Sequence, residues 1–93
     1  MSELDELVAE AEIGDEARRF VESDLGKCVL GMAEQEAVMA QEKLSDIDPT
    51  KIEEVRKLQN VVWRARQFED WLTELISRGE NAMEVYKHGT QKQ

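Results

Sequence analysis

DPTKIEEVRKLQNVVWRARQFEDWLTELISRGENAMEVYK, residues 48–87, is the stretch whose reading decides the fold. Asp48-Pro49-Thr50 has the character of a helix start, with a capping carboxylate, a proline suited to the first helical position, and Glu53 and Glu54 near the positive end of the macrodipole. Apolar or small residues then recur at steps of three and four: Val55, Leu58, Val62, Ala65, Leu72, Ile76, Gly79, Met83 and Tyr86. Val61, Phe68 and Leu75 widen the stripe on one side, so it reads as a broad core-facing surface on one long amphipathic helix. Gly79 stays in phase with this stripe, and the spacing predicts continuation through it.

Working back from Asp48, Ser45-Asp46-Ile47 completes a short connection to an earlier helical pattern over residues 24–46. Gly26, Leu30, Ala33, Ala37, Ala40, Leu44 and Ile47 form its seam. Small seam residues let helix axes approach closely and accept bulkier partners such as Phe68 or Leu72. The short connection predicts an antiparallel hairpin, with Leu44 facing Val55, Ala40 facing Leu58, Ala37 facing Val62 and Ala33 facing Ala65. In that register Glu69 lies opposite Leu30, one turn from Lys27. A carboxylate in an apolar seam is costly unless paired, so Lys27 and Glu69 are candidates for a buried ion pair; otherwise Glu69 snorkels at the seam edge.

Before residue 24 the pattern is shorter. Ser2 begins a helix over residues 3–12 carrying Leu4, Leu7, Val8 and Ala11, and Ile13-Gly14-Asp15 reads as a break. A second short helix covers residues 16–22 with Ala17, Phe20 and Val21, and either a kink or a fresh cap is expected around Ser23-Gly26. The expectation is therefore one all-α domain, residues 1–88, with helices near 3–12, 16–22, 24–46 and 49–87: an antiparallel hairpin of two long helices with one or two short N-terminal helices packed on it. Residues 89–93 have nothing to bury and are expected to fray.

Composition agrees. Of 93 residues 41% are hydrophobic and 35% charged, with one Pro and 5% aromatics, which favours a foldable helical chain over a disordered or β-rich one. Residues 1–49 hold 14 acids and 4 bases, net −10, whereas residues 50–93 hold 7 acids and 8 bases, net +1. That asymmetry favours the first half lying against the second, and it argues against nucleic-acid binding, which needs a basic footprint. The acidic N-terminus carries no basic region followed by an apolar run, and no segment reaches the roughly 20 apolar residues of a membrane span, so a cytoplasmic location is expected.

Residues that carry chemistry are sparse. His88 is the sole histidine, and it falls near the end expected to fray, so neither a zinc site nor a di-iron bundle is expected. Glu34, Glu36 and Glu42 are read as a solvated face, Cys28 as a small buried hydrophobe, and Met32, Met39 and Met83 as core filler. No phosphate loop or nucleophile elbow occurs, so no cofactor and no enzymatic activity are expected. Arg56, Lys57, Arg64 and Arg66 form a basic run; neutralisation of the acidic first half is preferred here to docking of an acidic partner.

At Asp24-Leu25-Gly26-Lys27, Asp48-Pro49-Thr50, Leu58-Gln59-Asn60, Trp63-Arg64-Ala65 and Trp71-Leu72 the chain resembles small acidic helical proteins encoded by tailed bacteriophages. The resemblance covers most of residues 13–80 and consists of helix starts and core aromatics, so no functional residue carries over. It implies a phage or prophage protein acting in the host cytoplasm or during particle assembly. The resulting expectation is a non-enzymatic accessory protein that binds an unidentified protein through a helical face, without nucleic acid or membrane. The alternative is an acidic nucleic-acid mimic that blocks a DNA-binding protein, although Arg18, Arg19 and Lys27 interrupt its acidic rows.

Trp63 conflicts with the long helix's own stripe. At about 100° per residue it points away from Leu72, with Arg56 and Gln67 beside it, Ile52 near the same line, and Trp71 between that line and the stripe. Cover by the N-terminal segment, a subunit contact, or plain exposure would each account for it. Self-association is preferred, and Trp63, Ile52, Trp71, Arg56 and Arg66 are the candidate interface residues.

Overall fold

A computed structural model of the chain describes residues 2–91. It is all-helical: α1 spans Glu3–Glu22, α2 Asp24–Asp46 and α3 Ile52–Gln91. Two compact units result. One comprises Met1–Ser23 with Trp71–Gln93, the other Asp24–Asp70, so the halves of α3 serve different partners.

In the second unit α2 and the first half of α3 form an antiparallel hairpin about a tight turn. Lys51 N–H donates to the Asp48 carbonyl (3.0 Å), while the backbone N–H and the hydroxyl of Thr50 donate to Asp48 Oδ1 (2.9 and 2.8 Å). Pro49 thus occupies the second position of a turn, where its fixed φ is favourable, rather than the first position of the helix. The long helix accordingly starts at Ile52, three residues later than expected, with Val55 N–H donating to the Lys51 carbonyl. The small seam is as anticipated: Gly26, Ala37 and Ala40 are buried on α2 and Ala65 on α3, flanked by half-buried Leu30, Ala33, Leu44, Val55, Leu58, Val62 and Phe68. Arg66 pairs with Glu34 across the two helices, each one residue beyond the expected Ala33–Ala65 facing pair.

In the first unit α1 runs antiparallel to the second half of α3. Ser2 caps it through a capping box: its hydroxyl accepts from Asp5 N–H, and the Asp5 carboxylate accepts from Ser2 N–H. The break expected at Gly14 does not exist, because α1 is continuous from Glu3 to Glu22. Gly14 and Gly79 are both buried, and a Cβ on Gly14 would stand 2.7 Å from Gly79 Cα. The missing side chains let two backbones touch, with Ala17 and Ala82 buried one turn on in each helix. That packing outweighs the cost of roughly 1 kcal/mol that glycine carries in a helix interior. The helix ends at Ser23, whose N–H donates to the Arg19 and Phe20 carbonyls and whose hydroxyl donates to the Phe20 carbonyl (2.6 Å). A fresh helix, α2, then begins at Asp24.

At the other end, α3 runs through Gly79 as the phase of its stripe predicts, and it continues to Gln91 rather than ending at Lys87. His88 lies within this helix, its Nε2 at 2.9 Å from Glu84 one turn back; of the tail expected to fray, residues 89–91 are helical, and residues 92 and 93 lie outside the described part.

Candidate functional site

Among the described residues the buried hydrophobic ones are all alanines: Ala17, Ala37, Ala40, Ala65 and Ala82. No large side chain among the described residues is fully buried. Alanine stripes bring helix axes close together, and larger residues are left at the margins of the contacts or outside them. What this chain offers to other molecules is consequently apolar helix surface.

On the first half of α3 the clearest such surface centres on Trp63, which is 64% exposed, with Ile52 at 59%. Helical phase places both on the side away from Val62 and Ala65, whose stripe meets α2. Trp63 is therefore not covered within the chain. Arg56, Gln59, Asn60 and Asp70 surround it and are exposed; Gln67 is half-buried. Arg66, at the margin, is engaged with Glu34 and so does neutralise part of the acidic first half, whereas Arg56, Lys57 and Arg64 remain exposed. Trp71 belongs to the other unit and is likewise mostly exposed.

Lys27 and Glu69 do not form a buried ion pair, because both are exposed. Four further residues are corrected on α2 and α3. Cys28 is exposed rather than buried, and Met32, Met39 and Met83 lie on the surface rather than filling a core. Leu25, Met32 and Met39 follow one another at seven-residue intervals, with Cys28 between the first two, giving α2 a second apolar stripe turned away from Ala37 and Ala40. Composition alone obscured this, because hydropathy suggests burial while the alanine seams leave no room for it.

Between α1 and the second half of α3 lies an open groove of about 580 Å³, floored by Gly14 and Gly79 and walled by Leu7, Ala11, Met83 and Tyr86. Arg18 and Glu80 bridge its margin with an exposed ion pair at 2.9 Å. Its carboxylates, Glu12, Asp15, Glu80 and Glu84, are all exposed, and no thiol or imidazole lines it. Among the described residues no three metal-ligating side chains converge, and no helix is long and apolar enough to cross a membrane. Asp48 is held below its ordinary carboxyl pKa of 3.8, first by the Thr50 backbone N–H and then by the Thr50 hydroxyl, which is the chemistry of the turn.

No family model matches the chain, and no curated protein or solved structure matches it either.

Proposed function

We propose that this chain is a non-enzymatic interaction protein, an accessory of a phage or prophage acting in the host cytoplasm, that works by presenting helical faces to other protein chains. Its surface carries the reading. Leu25, Met32, Met39, Ile52, Trp63 and Trp71 are among the large side chains left in water. Exposed apolar surface on this scale marks protein contacts.

Affinity capture from infected host cells, run in parallel with wild-type, Trp63→Ala and Met32→Glu chains, tests it. A partner held by the wild type and lost in a variant is the expected result. Recovery of no partner, together with a measured turnover by the purified chain, would overturn the reading.

The runner-up, a nucleic-acid mimic, needs uninterrupted acidic rows, yet Arg19 and Arg66 pair with Asp15 and Glu34 of the acidic first half, and Arg18 interrupts it while pairing with Glu80. Salt separates the two: mimic binding falls steeply with ionic strength, and apolar helix docking does not.

A further inference from the structure

The exposed face of α3 around Trp63 has a self-complementary order. Arg56 and Asp70 stand seven residues before and after Trp63, Gln59 and Gln67 four, Asn60 and Arg66 three. Helical phase puts Arg56, Gln59, Asn60, Trp63 and Asp70 on the side of α3 away from α2, where all five are exposed, while Gln67 is half-buried and Arg66, at the margin, is paired with Glu34. Bases occupy the part before Phe68, while Glu69 and Asp70 follow it.

We infer that two copies of this chain associate about a two-fold axis at Trp63, α3 against α3 and antiparallel, which rests on the reading that the exposed helix faces are protein-binding surfaces. A two-fold operator equates distances on either side of the axis, so each contact occurs twice. Trp63 meets its counterpart at the centre. Arg56 of one copy meets Asp70 of the other, and Gln59 meets Gln67. No like charges face one another in this set. A parallel arrangement would instead stack Arg56 on Arg56 and Asp70 on Asp70, so charge selects the antiparallel one. Within one chain, no carboxylate among the described residues is paired with Arg56, and a second copy supplies one.

Size is consistent as well. Residues 52–70 span about 28 Å of helix, long enough for a continuous helix–helix contact. Trp63, central and ringed by polar side chains, has the placement of an interface hot spot.

Sedimentation equilibrium of the whole chain is the test. The wild type is expected to dimerise, and Trp63→Ala to raise the dimer dissociation constant roughly thirty-fold or more. Arg56→Glu and Asp70→Arg each weaken the dimer by placing like charges at both ends, and the double variant Arg56→Glu/Asp70→Arg restores it. Met32→Glu, on the α2 stripe, leaves it unchanged. Far-ultraviolet circular dichroism checks that each variant keeps its helices, as exposed substitutions should. A wild type that stays monomeric to about 1 mM, or a dimer that responds to Met32→Glu and not to the α3 variants, overturns the two-fold contact. Neither result touches the broader interaction reading, which fails only on the capture experiment above.

Discussion

Gly14 of α1 and Gly79 of α3 touch backbone to backbone: a Cβ on either would fall 2.7 Å from the other's Cα, and within 3.1 Å of a carbonyl oxygen, Leu75 or Glu10, of the facing helix. Backbone cannot swing aside as a flexible side chain can, so Gly14→Ala and Gly79→Ala must each push the helices apart. The gain in helix propensity, about 1 kcal/mol, works the other way. Overpacking of roughly 1–3 kcal/mol should win and lower the melting temperature. Gly31 of α2 is the internal control, because nothing lies within 4 Å of a Cβ built there. Gly31→Ala should stabilise by about 0.5–1 kcal/mol. Thermal unfolding of the three variants checks the opposite signs, and a destabilised Gly31→Ala would refute the distinction.

The seam of the other unit makes a related demand. Ala37 is 0% and Ala40 2% exposed, so neither has room to grow. Ala37→Leu should cost about 1–3 kcal/mol by overpacking. Leu72 is only half-buried, so Leu72→Ala should fall near the lower end of the ~2–5 kcal/mol range for core leucines. Urea titration of both variants tests the comparison. A Leu72→Ala loss well above that of Ala37→Leu would mean that the alanine seams are not the tightest parts of the fold.

Asp48 yields a pH prediction. Its carboxyl is depressed below 3.8 by the Thr50 backbone N–H and hydroxyl, so the ionised form is favoured by folding. A depressed folded pKa adds stability above the unfolded value, and that stability is lost as pH falls through the folded value. The loss therefore begins only below about pH 4, and because the group is exposed its size is small. Asp48→Asn keeps an acceptor for Thr50 while removing the titration. The difference in melting temperature between wild type and Asp48→Asn should be constant from pH 7 to 5 and narrow or reverse below 4. A difference that changes across neutral pH would exclude this origin.

How much of this could be read from residues alone depended on how far each signal reached along the chain. The alanine seam of α2 was legible because Ala33, Ala37 and Ala40 repeat within a few turns. Trp63 stood out because its phase disagreed with that of its own helix. Gly14 was misread because a lone glycine looks like a stop; only Gly79, 65 positions later, shows it to be a contact. Cys28, Met32 and Met39 were misplaced for the complementary reason: closely approaching backbones leave no volume for side chains their size. A buried Lys27–Glu69 pair does not form, because both residues are exposed.

Cys28 gives the last prediction. It is exposed on α2, beside the stripe of Leu25, Met32 and Met39. Native chain should therefore react with one equivalent of a maleimide without denaturant, at a rate close to that of the unfolded chain, since access rather than unfolding limits the reaction. The proposed two-fold contact lies on α3, so labelling should leave the sedimentation mass unchanged and proceed equally fast at concentrations where the dimer dominates. Stopped-flow loss of maleimide absorbance measures the rates in native and unfolded chain and in monomer and dimer. If the dimer protects Cys28 by tenfold or more relative to the monomer, the α2 stripe is the surface that a second copy covers, and the α3 contact is wrong.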